Sequence, residues 1–287
     1  MSNPPSLGPV ALCTLIARDG AVAVEAYTRW MYQQVKHHGP LGPGTANALG
    51  LGKLAGNPSW VLANQAGRSW LQIVEHPEAQ DRDALGSYGW MAMETLVEDV
   101  DSLAASLEGS PFELLRPPAD LDVSDKIRAC QARGPAGEIL YLTQVKGDVP
   151  PFDLPACRAP VDHLFIPVLS TPSRDCSLAD YAAISGNEGI SFETRITVVN
   201  QARGFELERR HPVATLQLAG QALIEIDQIA DTQDAGSGPR NGVACIAFFC
   251  SAKPDAGAIL LKEGPFAGQH CSAQTGTGGE YFTLVYT

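Results

Sequence analysis

The feature that most constrains this chain is a pair of closing segments written alike. Gly137-Glu138-Ile139-Leu140-Tyr141-Leu142 and Gly279-Glu280-Tyr281-Phe282-Thr283-Leu284 share a Gly-Glu start and an apolar, strand-like run. Upstream of them, Phe112 of Glu108-Gly-Ser-Pro-Phe112 lies 23 residues beyond Gly89, and Phe266 of Glu263-Gly-Pro-Phe266 lies 24 beyond Gly242. Three landmarks in one order point to duplication, in which one supersecondary block is used more than once. Asp148-Val-Pro-Pro-Phe-Asp-Leu-Pro155 reads as a linker by its proline content. The expected organisation is residues 1–147, a linker over 148–158, and a similar half over 159–287. Each half is expected to carry its own twisted mixed sheet with helices outside.

Local patterns fill in the blocks. Leu7–Ala17 reads as a strand, and Val24, Tyr27, Met31 and Val35 fall at helical spacing over 21–35. The Gly-rich stretch to Asn57 reads as loop, and 59–63 with 70–74 as a hairpin around Gln65-Ala-Gly-Arg68. Gly89–Val97, a helix opened by Asp99, and strands near 112–115, 125–132 and 138–145 complete the first half. The second half repeats the order. It begins with the strand Pro160-Val-Asp-His163-Leu-Phe-Ile-Pro-Val168 and a helix near 178–184. Strands follow at 192–200, 214–219, 222–227 and 243–250, then a helix near 256–261 and a strand over 280–286.

Composition narrows the function classes. A net charge of −12 leaves no basic stripe for nucleic acid and disfavours anionic membranes. No apolar run is long enough to span a bilayer, and Met1-Ser-Asn-Pro-Pro5 lacks a signal-peptide core. Seven scattered cysteines, none in CxxC spacing, read as reduced thiols, which fits a cytoplasmic protein. There is no Walker spacing, GxSxG elbow or HExxH helix.

The repeated strand–helix–strand–strand–strand order, with Val161–Val168, Gly89–Asp101 and the two Gly-Glu closing strands, resembles the vicinal oxygen chelate superfamily of glyoxalases, bleomycin-resistance proteins and extradiol dioxygenases. The likeness, to a two-module member, covers roughly 8–145 and 160–287. It implies an α+β fold of tandem βαβββ modules, whose curved mixed sheets enclose a cavity, commonly around a divalent metal. The metal-ligand positions that it implies fall at His163, near Cys245 and at Thr283 in the second half. In the first half they fall at Leu12 or Cys13, at Ala92 and at Tyr141. One histidine, one cysteine and one threonine suit neither a hard cation nor a borderline one, so no metal and no cofactor is expected.

Candidate residues each carry two readings. His163 is either a proton carrier on a cavity wall or a strand histidine bonded to a carbonyl. Glu94, inside the apolar run Trp90–Leu96, is either a desolvated acid/base or the polar side of a half-exposed strand. Tyr141 and Thr283 are substrate hydrogen-bonders or packing, and Cys245, among the substrate-binding positions, is a nucleophile or a small core residue. Arg195 is a bidentate carboxylate binder or a surface arginine. Phe165 is an aromatic contact for an apolar substrate. The expected function is a metal-independent enzyme working by side-chain acid/base chemistry on a small, largely apolar substrate (aromatic or carboxylic among the options). Lyase, decarboxylase or isomerase reactions fit. The alternative is non-catalytic sequestration of a small molecule, and a metal-dependent dioxygenase or glyoxalase ranks third. A homodimer stays open.

Overall fold

The computed structural model describes residues 6–121 and 124–287, so the reading of Met1–Pro5 lies outside the described residues. Four blocks follow one another, two per half. The first holds β1 (Leu7–Ala17), α1 (Gly20–Trp30), β2 (Gln34–Pro40), α2 (Pro43–Ala48), β3 (Pro58–Ala63) and β4 (Ser69–Glu75). The second holds β5 (Gly89–Val97), α3 (Val100–Ser106), β6 (Glu113–Leu121), β7 (Ser124–Arg133) and β8 (Ile139–Val145). The third holds β9 (Val161–Ser170), α4 (Arg174–Ser185), β10 (Ile190–Arg195), α5 (Thr197–Arg203), β11 (Arg210–Leu218) and β12 (Ala222–Asp227). The fourth holds β13 (Gly242–Cys250), β14 (Ile259–Leu260), β15 (His270–Thr275) and β16 (Tyr281–Tyr286).

In the first three blocks a short polar side chain ends the opening strand and caps the helix behind it. Asp19 accepts from the Val22 amide, Asp99 from Ser102 and Ser173 from Cys176. The fourth block lacks this helix, and the expectation of one near 256–261 is corrected. Asp255 instead accepts from the Gly257 amide at 2.8 Å, and Ile259 and Leu260 extend the sheet beside β15. The strand expected over 192–200 also divides. It ends at Arg195, and α5 takes the chain back across the sheet.

The sheets have the orders β14-β15-β16-β13-β1-β4-β3-β2 and β10-β11-β12-β9-β5-β8-β7-β6, eight strands each. The expectation of one sheet per half is therefore corrected. The first sheet joins the first and fourth blocks and the second sheet joins the second and third. Each seam is an antiparallel pairing of opening strands, β1 with β13 and β5 with β9. Pairing within a block leaves its first strand with an open edge, which the partner block covers.

The helix-bearing faces of the two sheets share one core, in which Cys13 Sγ lies 3.2 Å from Met93 Sδ. The repeated Gly-Glu pairs find their physical reason here. The buried Glu138 carboxylate accepts from the Tyr27 hydroxyl at 2.7 Å, tying α1 of one block to β8 of the next. Glu280 accepts from Tyr181 at 2.8 Å in the same way, tying α4 to β16. Burial pushes Glu138 up to about 7, while the Tyr27 bond works against that rise. Tyr27→Phe removes that donor from a buried carboxyl, so urea denaturation at neutral pH should show a loss of about 1–3 kcal/mol. Tyr181→Phe should behave alike, and the two losses should add, because the pairs share no partner.

Candidate functional site

Each sheet curves away from the shared core and presents a concave face, here called a cup. In the first cup, Thr14, Gln72, Cys245 and Thr283 stand on the face opposite the helix side, as their neighbours Cys13, Leu71, Ile246 and Phe282 belong to the shared core. Cys245 Sγ lies 3.4 Å from Thr283 Oγ1, and the Thr283 hydroxyl donates to the Ala48 carbonyl at 2.7 Å. Leu41, Ala46, Leu49, Leu51 and Leu54, from α2 and its flanks, pack over Ile16, Val74 and Cys245. The stretch expected to be loop thus covers this cup with apolar side chains, and a cleft borders that cover at Ile16, Leu51 and Leu54.

The second cup is different. Strand alternation places Leu140, Leu142, Ile224 and Ile226 in the shared core, so Tyr141, Glu225 and Asp227 face the other way. Glu94 joins them, register-paired with Tyr141 in β8 and with Ile166 in β9. Apolar cover comes from both ends. Val198 and Val199 of α5, with Leu85, pack on Ala92, Ile139, Val168 and Val213 at one end. Phe152, Leu154 and Cys157 of the linker pack on Leu96, Phe165, Ile166 and Leu223 at the other. α5 is held in place by Asn200, which accepts from His211 Nε2 at 2.7 Å and donates to the carbonyls of Leu207 and Arg209.

Between the two covers lie three carboxyl groups and a phenol. Burial raises Glu94 to about 8, and the neighbouring Glu225 adds to the rise. Burial likewise raises Glu225, to about 7, although this side chain keeps some solvent access. Asp227 is pushed well above the usual carboxylate range by burial, then by Glu225 and Glu94. Tyr141 is pushed above its ordinary value by burial and by all three acids, so its hydroxyl stays protonated. The Tyr141 hydroxyl, the Thr215 hydroxyl and both Asp227 carboxyl oxygens are buried and without a hydrogen-bond partner among the described residues. Buried polar atoms normally find partners, and these four, on the face turned away from the shared core, have none among the described residues.

The sequence-predicted residues scatter across this arrangement. Glu94 and Tyr141 come together, and Cys245 and Thr283 come together in the first cup. Phe165 is buried under the linker at one end of the second cup. His163, expected on a cavity wall, sits elsewhere. The β5–β9 register shifts between the Thr95–Leu164 and Val97–Val161 pairs, and His163 falls inside that irregular stretch. Its Nδ1 lies 2.8 Å from Asp162 and its Nε2 2.9 Å from Arg68, whose other nitrogen donates to the Val10 carbonyl. Asp162 also accepts from Asn64, so this polar cluster clamps β9 to the β3–β4 turn of the other sheet. Arg195 falls off the cup as well. Phe192 pairs with the cup residue Val213, so alternation puts Arg195 on the opposite side, where it bonds both oxygens of Glu208 at 2.8 Å.

Glu225, Asp227 and Thr215 were not among the predicted site residues. The signal was present in Ala222-Leu-Ile-Glu-Ile-Asp227, an apolar strand interrupted by acids two apart, hence on one face. Among the described residues no three His, Cys, Asp or Glu side chains converge closely enough to hold a metal ion. The donors of the second cup therefore do not fit the three-ligand centre that the family resemblance suggests. Two clefts, of about 340 and 580 Å³, lie where the segments before β5 and β13 cross. Both include Arg82, whose guanidinium is spent on Ser87 and on the Tyr88 and Trp90 carbonyls, a structural role.

No family model and no curated protein sequence matches the chain. Solved structures do. Glyoxalase I from Zea mays superposes with a TM-score of 0.63 at 12% identity, covering 96% of this chain and 92% of that one. Its E144Q mutant gives 0.63 and 12%, covering 98% and 94%. The chain has the fold of these glyoxalase structures. Its two sheets differ chemically in their cups. No helix among the described residues is long and apolar enough to cross a membrane.

The raised acids make stability depend on pH with a definite sign. Folded Glu94 holds its proton up to about 8, whereas an unfolded glutamate releases it near ~4.3. Between those values the folded state binds more protons, so this stability is fully present below the unfolded pKa and is lost as pH rises through the folded one. The urea midpoint should fall from pH ~5 to pH ~8, and Glu94→Gln should flatten part of that fall. A midpoint that rises over this range would contradict the burial of the acids.

Proposed function

We propose that this chain is an enzyme of the vicinal oxygen chelate fold that moves a proton on a small, largely apolar substrate bound in the second cup. A lyase, decarboxylase or isomerase type of reaction suits the groups present. The observation that carries the reading is the set of buried acids titrating near neutral pH beside the orphaned Tyr141 hydroxyl. A group whose pKa lies near working pH is an efficient acid or base. Glu225, the more accessible acid, is suited to take a proton, and Glu94, which holds its own to higher pH, to return one. Tyr141 would donate a hydrogen bond to a substrate oxygen. The apolar covers at both ends would lower the local dielectric and strengthen these interactions.

A thermal-shift screen of small organic compounds supplies candidate substrates through binding linkage. For a compound that is turned over, Glu94→Gln should lower kcat by about 10²-fold or more, within the range for acid/base groups, with KM little changed. Cys245→Ala, in the first cup, should leave kcat unaltered. Tight ligands with no turnover under any condition would instead favour sequestration.

A further inference from the structure

We infer that the second cup takes its ligand as a cation, a small molecule with a protonated nitrogen carried on an apolar body. This rests on reading that cup as the working site. Three carboxyl groups, Glu94, Glu225 and Asp227, share one concave face. A second observation is independent of charge. Tyr141 is 8% exposed and Asp227 fully buried, and the phenol hydroxyl and both Asp227 oxygens find no partner among the described residues. Asp227 thus offers two acceptors to whatever enters.

Among the described residues, His211 shares this face, two positions before Val213 in β11, but is tied to Asn200 rather than to an acid. The influences on Glu94, Asp227 and Tyr141 include burial and one another, but no lysine, arginine or histidine. Arg116, on β6, is register-paired with Gln131 rather than with any of the acids. Arg195 is committed to Glu208 on the other side of the sheet.

The physical consequence is selective. A carboxylate ligand would bring a desolvated anion beside Glu225 and oppose ionisation of the cluster, with no cation to offset it. A neutral alcohol could hydrogen-bond but would leave the acids protonated. A cationic nitrogen lets a carboxyl ionise beside it, so binding should expel a proton: R–NH₃⁺ with R′–COOH gives the ion pair and H⁺ to buffer. The apolar body of such a ligand would lie beside the α5 cover, where Val198 and Phe192 pack on Ile139 and Val168.

The test uses the full chain and three probes of one shape, benzylamine, benzyl alcohol and benzoate. Calorimetry is run at pH 7 in two buffers of different ionisation heat. Benzylamine should bind at least about tenfold more tightly than benzyl alcohol, which is about 1.4 kcal/mol, and benzoate should not bind detectably. Only benzylamine should release protons. Glu225→Gln should weaken benzylamine about tenfold or more, while Thr283→Val in the other cup should change neither affinity nor proton release. Should Glu225→Gln fail to fold, the probe ranking and proton count on the unaltered protein decide alone. Benzoate binding as well as benzylamine, or benzylamine binding without proton release, overturns the inference. Benzylamine binding as expected with no turnover of any amine would sink the catalytic reading and keep this one. Glu94-dependent turnover of a neutral or anionic compound, with amines ignored, would do the reverse.

Discussion

The structure depends on the open edge that each block leaves on its first strand. A run of unpaired backbone groups along β1, β5, β9 or β13 needs a partner, and each finds one in the opening strand of another block. Because the pairing joins the outer two blocks and the inner two, neither half can complete a sheet alone. The chain must therefore pass between sheets, and the crossing segments bond to each other. The Gln80 amide donates to Pro239, Asn241 to Gln80, and Tyr88 to Gln233. The Tyr27–Glu138 and Tyr181–Glu280 bonds lock the helices of one sheet to the closing strands of the other.

A doubled architecture makes two equivalent cups, and the two have moved apart chemically. In the first, Gln72 and Thr283 hold positions that Glu225 and Tyr141 hold in the second, as the strand registers show. Neutral groups that satisfy one another tolerate the apolar lid of α2 and its flanks. Carboxyl groups do not, since a lid that closed over them without partners would leave charge or protons stranded in a low-dielectric site. The covers of the second cup accordingly meet its two ends, and its acids remain between them. The first cup is covered by apolar packing, and the second keeps three carboxyl groups on its face.

Much of the architecture was legible in the sequence because it rests on local pattern. The helices stop and start where Asp19, Asp99 and Ser173 cap them, and the strand over Ala222–Asp227 has the bounds that its alternation suggests. The duplicated Gly-Glu segments identified the repeat. What failed locally failed for identifiable reasons: Asp255 was spent on a turn rather than a cap, and Ile196 ended a strand whose apolar run continues into α5.

The site was legible only in part. Glu94 and Tyr141 could be singled out as polar groups in apolar strands, and the same logic applies to Glu225 and Asp227 once their spacing is considered. That these four meet could not be read, because they lie on three strands from two blocks whose pairing is long-range. His163 shows the limit most plainly. Its residue type and its place in an opening strand marked it as a proton carrier, yet a register irregularity turns it toward Arg68 and Asp162 of the inter-sheet clamp. Sequence by itself determined the blocks, their caps and the duplication, since these follow from residue type and spacing along the chain. Tertiary structure alone decided which blocks share a sheet, how each cup is covered and which acids meet, since these depend on edge pairing and on which face a bulge exposes.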